Sequence, residues 1–243
     1  MKTSLVMPVF NASQYIDRAL LSVREQNGCV DEVIIVDDGS TDDIEDRVHR
    51  WASEIPIKLL KNRKNIGVAK SLRRGVLEAS GELIFRLDAD DWWENDHVME
   101  IIAAANKNTS AVILASGVKL YDGNSCLVGY SLPPDDSIIR VKAMWDNPLV
   151  HSSLAFRKTA YNLVGGYNPN RLFEDYDLIL KLLTVGAFAH SNKATVNYSI
   201  LPKSVSRVSQ RVARFERIKI ISQNLSLRFI AKLIISASSG VWK

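Results

Sequence analysis

The sequence predicts an α/β fold with a largely parallel central sheet, on three observations. Apolar strand-like runs alternate with amphipathic helical stretches through the first half, the pattern of βαβ units. Two of those runs, Val33–Val36 and Leu83–Leu87, end abruptly in acidic residues. Buried strands in such folds deliver functional groups at their carboxyl ends. Finally, 243 residues, 47% hydrophobic and 24% charged, suit one globular domain with a small extension.

In chain order, Thr3–Val9 is the first strand, closed by Pro8, which lacks the N–H that a mid-ladder position needs. A helix follows from Ser13 to Gln26, with Tyr15, Ile16, Ala19, Leu20 and Val23 at helical spacing. Val33–Val36 is a β-branched strand leading into Asp37-Asp38-Gly39-Ser40-Thr41-Asp42, turn chemistry with Asp42 as the next helix N-cap. Ile57–Leu60 is a third strand, and Val68–Ala79 a helix closed by Gly81. After Leu83–Leu87, Asn95 is the expected N-cap of a helix to about Ala105. Beyond Ala111 the rhythm changes. Ala111–Tyr121 and Ser125–Ser131 form strands about the turn Asp122-Gly123-Asn124, and Pro133-Pro134-Asp135-Asp136 is a loop. Leu154–Arg157 is a short strand, Gly165–Pro169 a loop and Glu174–Val185 a helix. A long basic amphipathic pattern runs from Ser206 to Ile235, with a break near Asn224. This divides the chain into a domain at 1–207 and a helical extension at 208–243.

The chemistry concentrates at Asp88-Ala89-Asp90-Asp91, three carboxylates within four residues. Such crowding is repulsive unless a cation, ribose hydroxyls or water compensate it. Mg²⁺ and Mn²⁺ take oxygen ligands of this kind, and Mg²⁺ completes its shell with substrate phosphates. Alone, the triplet also reads as a solvated turn capping a helix. Cys29 and Cys126 lack metal-ligand spacing and read as free thiols of a cytoplasmic protein. No run nears the ~18 apolar residues of a membrane span. Net charge is +4, yet residues 200–243 hold nine Lys/Arg and one acid, Glu216. That basic tail suits an anionic membrane surface or a phosphorylated substrate. Nucleic acid is disfavoured, for want of interleaved aromatics and a recognisable module.

Five motifs stand in an ordered series: Pro8-Val9-Phe10-Asn11, Val36–Asp42, Asn65-x-Gly67, Asp88–Asp91 and Phe173-Glu174-Asp175-Tyr176-Asp177-Leu178. Together they resemble the family 2 glycosyltransferases over about residues 3–207. The resemblance implies the GT-A fold, a Rossmann-like nucleotide-sugar-binding domain with a mixed, mostly parallel sheet. It implies a metal-dependent inverting transfer of one sugar from a nucleotide-diphosphate sugar, by analogy a UDP-sugar, to a glycan or lipid-linked acceptor. Bacterial surface polysaccharide assembly on the inner face of the cytoplasmic membrane is the implied context. By the same resemblance Pro8, Phe10, Asn11, Asp38, Asn65, Gly67, Lys70 and Asp90 bind the donor, and Asp88, Asp90 and Asp91 hold Mn²⁺ or Mg²⁺. Asp175 is the general base, a role that the helix N-terminus favours by keeping the carboxylate ionised. His151, Glu174, Lys203 and Arg207 are candidates for the diphosphate or the acceptor. Leu201 stands where a His is usual in relatives, so Lys203 and Arg207 are expected to supply positive charge there. The Gln/Arg-x-x-Arg-Trp motif of processive synthases is absent, which points to single-sugar addition. Two alternatives are a sugar nucleotidyltransferase, which needs a Gly-rich basic loop that Pro8–Asn11 does not provide, and a catalytically degenerate nucleotide-sugar-binding partner. On the tail, Arg211, Arg214, Arg217 and Arg228 edge a stripe of Val212, Phe215, Ile218, Ile221, Leu225 and Phe229, which suits a helix lying on an anionic membrane. The same stripe also suits packing on the domain.

Overall fold

The computed structural model describes residues 1–201 and 210–224, with side chains of the last segment from Arg214 onward. The elements run β1 (Thr3–Val9), α1 (Ser13–Arg24), β2 (Glu32–Asp37), α2 (Ile44–Trp51), β3 (Ile57–Lys61), α3 (Val68–Glu78), β4 (Leu83–Arg86), β5 (Trp92–Trp93) and α4 (His97–Lys107). They continue as β6 (Ala111–Tyr121), β7 (Leu127–Ser131), α5 (Asp136–Lys142), a 3-10 turn (His151–Ser153), β8 (Leu154–Arg157), α6 (Lys158–Leu163), α7 (Glu174–Val185), β9 (Ala187–Ser199) and α8 (Gln210–Asn224).

One sheet carries them all, in the order β3-β2-β1-β4-β8-β6-β9-β5, with β7 on β6. Strands β1 to β4 pair in parallel. The β8 strand is antiparallel to both β4 and β6, and β9 returns parallel to β6. Side-chain alternation splits the core in two. Leu5, Met7, Val33, Ile35 and Phe85 face one layer with Ile16, Leu20, Val48 and Val98 of α1, α2 and α4. Val6, Ile34, Val36 and Ile84 face the other, with Leu72 and Val76 of α3 and Ile179 and Leu183 of α7. Burial on both faces is why β1, β2 and β4 read as continuous apolar runs.

Several sequence expectations need correction. Pro8 does not close β1 but pairs with Val36 inside it. It is tolerated because β4 leaves the ladder at the Val6–Arg86 pair, making Pro8 an edge position. Asp42 does not cap α2, which Asp43 precedes without a side-chain cap. Its carboxylate instead accepts the Ser13 N–H at 2.9 Å, satisfying a free donor at the start of α1. Gly81 does not close α3, which ends at Ala79 in an extended conformation. A side chain at Gly81 would sit 2.7 Å from the Ser4 nitrogen, so close packing on β1 explains the glycine. The helix after the acidic turn starts at His97 rather than at Asn95, because the His97 N–H is spent on Glu94 in a preceding turn. The segment at Asp136 is helix α5, and the longest strand, β9, had no expectation at all.

The α8 helix lies on α7, with Ile220 fully buried and Ile221 packed against the core. Phe215 and Ile218 are 78% and 55% exposed. The expected stripe therefore divides between two faces. Val212 and Arg211 have no described side chains, and Leu225, Arg228 and Phe229 lie outside the described residues. If Ile220 is core, Ile220→Ala costs about 2–4 kcal/mol in chemical denaturation. A change below about 0.5 kcal/mol would show that α8 does not belong to the folded domain.

Candidate active site

At the end of β4 the chain turns sharply, the Asp91 N–H donating to the Asp88 carbonyl at 3.1 Å. The turn gives the three carboxylates different surroundings. Asp88 accepts from Arg86 Nη2 at 2.6 Å and from Ser152 Oγ at 3.3 Å. Burial works to raise its pKa, but the Arg86 guanidinium, through its charge and hydrogen bond, outweighs burial and holds it below the usual range. Asp91 is buried, with Oδ1 accepting the Ser199 N–H at 2.8 Å and Oδ2 the Ser152 hydroxyl. Burial, then the Asp90 and Asp88 charges, push it well above the ordinary value. The Asp90 carboxylate is engaged by no other side chain among the described residues, while its carbonyl accepts from Arg18 at 2.8 Å and from Ser199 Oγ. Burial and the Asp88 charge raise its pKa to about 6.

Arg86 is completely buried. Its Nη1 donates to the carbonyls of Val6 (2.9 Å) and Leu87 (3.0 Å), and its Nε to His151 Nε2 at 3.2 Å. His151 lies 2.7 Å from the Tyr167 hydroxyl. Burial, helped by Arg86, drives His151 well below its usual pKa, so the ring stays neutral.

The second acidic group opens α7. Glu174 is buried, and burial followed by the Asp175 charge raises it to about 8. Asp175 is half-buried and accepts from Asn147 Nδ2 at 2.7 Å and from the Tyr176 N–H at 2.8 Å. Its pKa is raised, burial outweighing the Tyr176 N–H, which is opposite in sign to the expected helix-terminus effect. Asp88 raises and Arg86 lowers both of these carboxyls, so the two acidic groups share one field.

The remaining candidates lie beyond β1 and β2. Asp38 is buried and accepts three N–H groups: Asn62 Nδ2 at 2.8 Å, Ile66 N at 2.9 Å and Gly67 N at 2.9 Å. It thereby holds the 62–67 loop. Gly39, at φ +78°, lets that loop approach, since a side chain there would lie 2.6 Å from the Lys64 backbone. Asn65 Oδ1 also accepts from Gly67 N, at 3.1 Å. Asn11 Oδ1 accepts from the Thr41 N–H at 2.9 Å and joins the loops after β1 and β2. Phe10 is 48% exposed beside them, Pro8 is half-buried, and Lys70 is exposed on the first turn of α3. Lys203 and Arg207 lie outside the described residues. Sequence reasoning missed Arg86, Ser152, Ser199, Arg18 and Asn147. Only Arg86 left a usable signal, a lone cation inside an apolar strand two residues before an aspartate.

Among the described residues no group of three or more His, Cys, Asp or Glu is arranged to hold a metal ion by itself. The donor set nevertheless fits a hard cation shared with a diphosphate. Asp90 is an unengaged carboxylate whose ionisation is unfavourable, Asp88 is ionised beside it, and Mg²⁺ takes one or two carboxylates plus phosphate oxygens.

Comparison with known proteins shows the family and the fold. The UDP-Gal:alpha-D-GlcNAc-diphosphoundecaprenol beta-1,3-galactosyltransferase of Escherichia coli is 30% identical over 190 residues, 76% of this chain and 69% of that protein. Escherichia coli chondroitin synthase is 29% identical over 232 residues, 94% of this chain but only 33% of the synthase. The chain thus spans a third of that relative's length. Staphylococcus aureus TarS, solved with UDP-GlcNAc, superposes with a TM-score of 0.78 at 18% identity, covering 99% of this chain and 73% of TarS. The mannosyltransferase PcManGT of Pyrobaculum calidifontis, solved with GDP-Man and Mn²⁺, superposes with a TM-score of 0.68 at 19% identity, covering 100% of this chain and 81% of that one. These likenesses show the GT-A fold, and the family match below sets aside a sugar nucleotidyltransferase. Residues 4–172 match the family described as Glycosyl transferase family 2, and the chain belongs to that family.

Proposed function

We propose that the protein transfers one sugar from a UDP-sugar to a glycan or lipid-linked acceptor in bacterial surface polysaccharide synthesis. The observation that carries this is the family match together with two acidic groups, Asp88–Asp91 after β4 and Glu174–Asp175 opening α7, with the buried Arg86 acting on both. The names of the galactosyltransferase and of the UDP-GlcNAc complex of TarS support UDP and the acceptor class. Residues 1–207 carry the transferase domain, and 208–243 a basic extension.

In this reading the nucleotide base lies against Phe10 and Pro8, bordered by Asn11, Asn65, Gly67 and Lys70. Asp38 serves by holding the 62–67 loop. Asp88 and Asp90 hold Mn²⁺ or Mg²⁺, while Asp91, with both oxygens bonded, anchors the turn. When bound, the ion offsets charge on the leaving diphosphate. The acceptor hydroxyl attacks the anomeric carbon as the bond to the diphosphate oxygen breaks, and Asp175 takes the hydroxyl proton. Glu174, neutral below about pH 8, donates a hydrogen bond without a second negative charge beside the base. His151 positions Arg86 from the acceptor side, and Lys203 and Arg207, which lie outside the described residues, supply positive charge for the diphosphate. Release of UDP across a panel of UDP-sugars and GDP-Man tests the donor assignment, and turnover of GDP-Man alone would overturn it.

Three outcomes follow for the site and the tail. Chelation abolishes transfer and Mn²⁺ or Mg²⁺ restores it; full activity in excess EDTA would contradict the metal assignment. A carboxyl raised from 3.8 to about 6 destabilises the fold progressively as pH rises through that window. Asp90→Asn therefore raises the metal-free Tm above pH 6, leaves it unchanged below pH 4, and loses turnover. An unchanged Tm at high pH speaks against that strain.

Asp175→Asn keeps size and hydrogen bonding but cannot take the proton, so turnover falls ~10²–10⁴-fold. UDP affinity by calorimetry stays within about twofold if base loss is the whole effect. Lost UDP binding with retained turnover would place Asp175 in the donor site instead.

The tail is proposed to rest on an anionic membrane through the exposed Phe215 and Ile218, with Arg214 exposed beside them. No described helix is long and apolar enough to cross a membrane. Phe215→Glu with Ile218→Glu leaves Tm unchanged and abolishes sedimentation with phosphatidylserine vesicles. Retained sedimentation would move the contact elsewhere.

A further inference from the structure

We propose that Asn147 is the positioning residue of the Asp175 carboxylate, an inference that rests on Asp175 being the base. Asn147 lies in the turn after α5, and its Nδ2 donates to Asp175 Oδ2 at 2.7 Å. The Tyr176 N–H donates to the other oxygen at 2.8 Å. One donor on each oxygen fixes the plane of the carboxylate and leaves the remaining lone pairs for a substrate proton.

The amide is itself held in one orientation. Asn147 Oδ1 accepts the Leu149 N–H at 3.2 Å, which identifies the other end of the amide as the donor toward Asp175. The Asn147 N–H donates to Asp146 Oδ1 at 2.7 Å, and Pro148 restricts the Asn147 backbone. A flipped amide would set two oxygens against each other at Asp175 and lose the Leu149 bond.

The choice of an amide has a chemical consequence. The groups facing Asp175 are Glu174 on its own helix, Asp88 and Arg86 from the β4 end, and Tyr167. Asp146 and Arg217 act on the adjacent Tyr176 from the outer side. Burial raises Asp175. A lysine or arginine in place of Asn147 would over-stabilise the carboxylate and make it a poor base. A neutral donor that never titrates favours the ionised form only in part, keeping the base near working pH.

The test is a carboxyl ¹³C titration of the full chain labelled at aspartate, with the Asp175 signal assigned by its loss in Asp175→Asn. Asn147→Ala removes both amide functions. Asn147→Ser keeps a hydroxyl for the Leu149 N–H but is too short to reach Asp175, and covers the case where the alanine variant unfolds. In both variants the Asp175 midpoint rises by roughly one to two pH units, with UDP affinity unchanged. The acid limb of the kcat profile moves up equally. A midpoint equal to wild type, with only Tm lowered, would make Asn147 a turn-former and overturn the proposal. Arg217→Ala breaks an exposed ion pair to Asp146 at 3.2 Å and leaves the midpoint in place. An equal shift in that variant would assign the effect to the whole turn and also overturn it. Full turnover in Asp175→Asn would sink the base assignment alone, because the titration judges the Asn147 contact without reference to turnover.

Discussion

The site depends on the burial of one positive charge. Arg86 is fully enclosed at the end of β4, where an unpaired guanidinium would cost several kcal/mol. Its compensation dictates the local structure. Two carbonyls, Val6 and Leu87, take Nη1, which requires β4 to part from β1 at this point. Asp88 must turn back to meet Nη2, and His151 must present a ring nitrogen to Nε. The sharp turn that carries Asp90 and Asp91 is the geometric result.

From that turn comes a division of labour among three adjacent carboxylates that spacing alone makes equivalent. Asp88 is ionised because Arg86 is beside it. Asp91 is consumed by Ser152 and by the Ser199 backbone, which stitches the turn to the 3-10 turn before β8 and to the end of β9. Asp90 is left with no side-chain partner among the described residues and with its ionisation disfavoured, the state in which a cation gains most. The pair Glu174 and Asp175 at the start of α7 forms a second acidic group, and burial raises both carboxyls. Arg86 reaches both pairs, and the neutral His151 passes its position on to Tyr167 without adding charge.

What the sequence made legible follows from the same physics. Strands β1, β2 and β4 are buried on both faces and therefore apolar throughout, and their ends and acidic turns could be read directly. The β9 strand could not, since Ala187–Ser199 mixes His, Ser, Asn and Lys with its apolar positions. Its pairing with β6 shifts register several times, so no period of two survives. Asp42 and Gly81 were misread because their partners, Ser13 and Ser4, are 29 and 77 residues distant. Local propensity sees only the nearest turn. Asn147 falls in the same class: an asparagine before a proline is ordinary turn chemistry until α7 brings Asp175 to its amide.

The tail shows the opposite limit, where a pattern is visible but its meaning is degenerate. A stripe along a helix is equally consistent with packing and with a membrane. The structure separates the two by angle. The Ile220 face is core, and beside it Arg171 lies 3.4 Å from Asp177 and 3.7 Å from Glu216. Asn224 also donates to Asp177, at 3.1 Å. Asp177 and Arg171 are both almost wholly buried, so removing α8 would leave a charged pair short of its partners. Asp177 lies in the same first helical turn as Glu174 and Asp175. A helix that completes the ionic surroundings of that turn on one face while exposing Phe215 on the other would, under the proposed function, tie surface attachment to the acceptor side of the site.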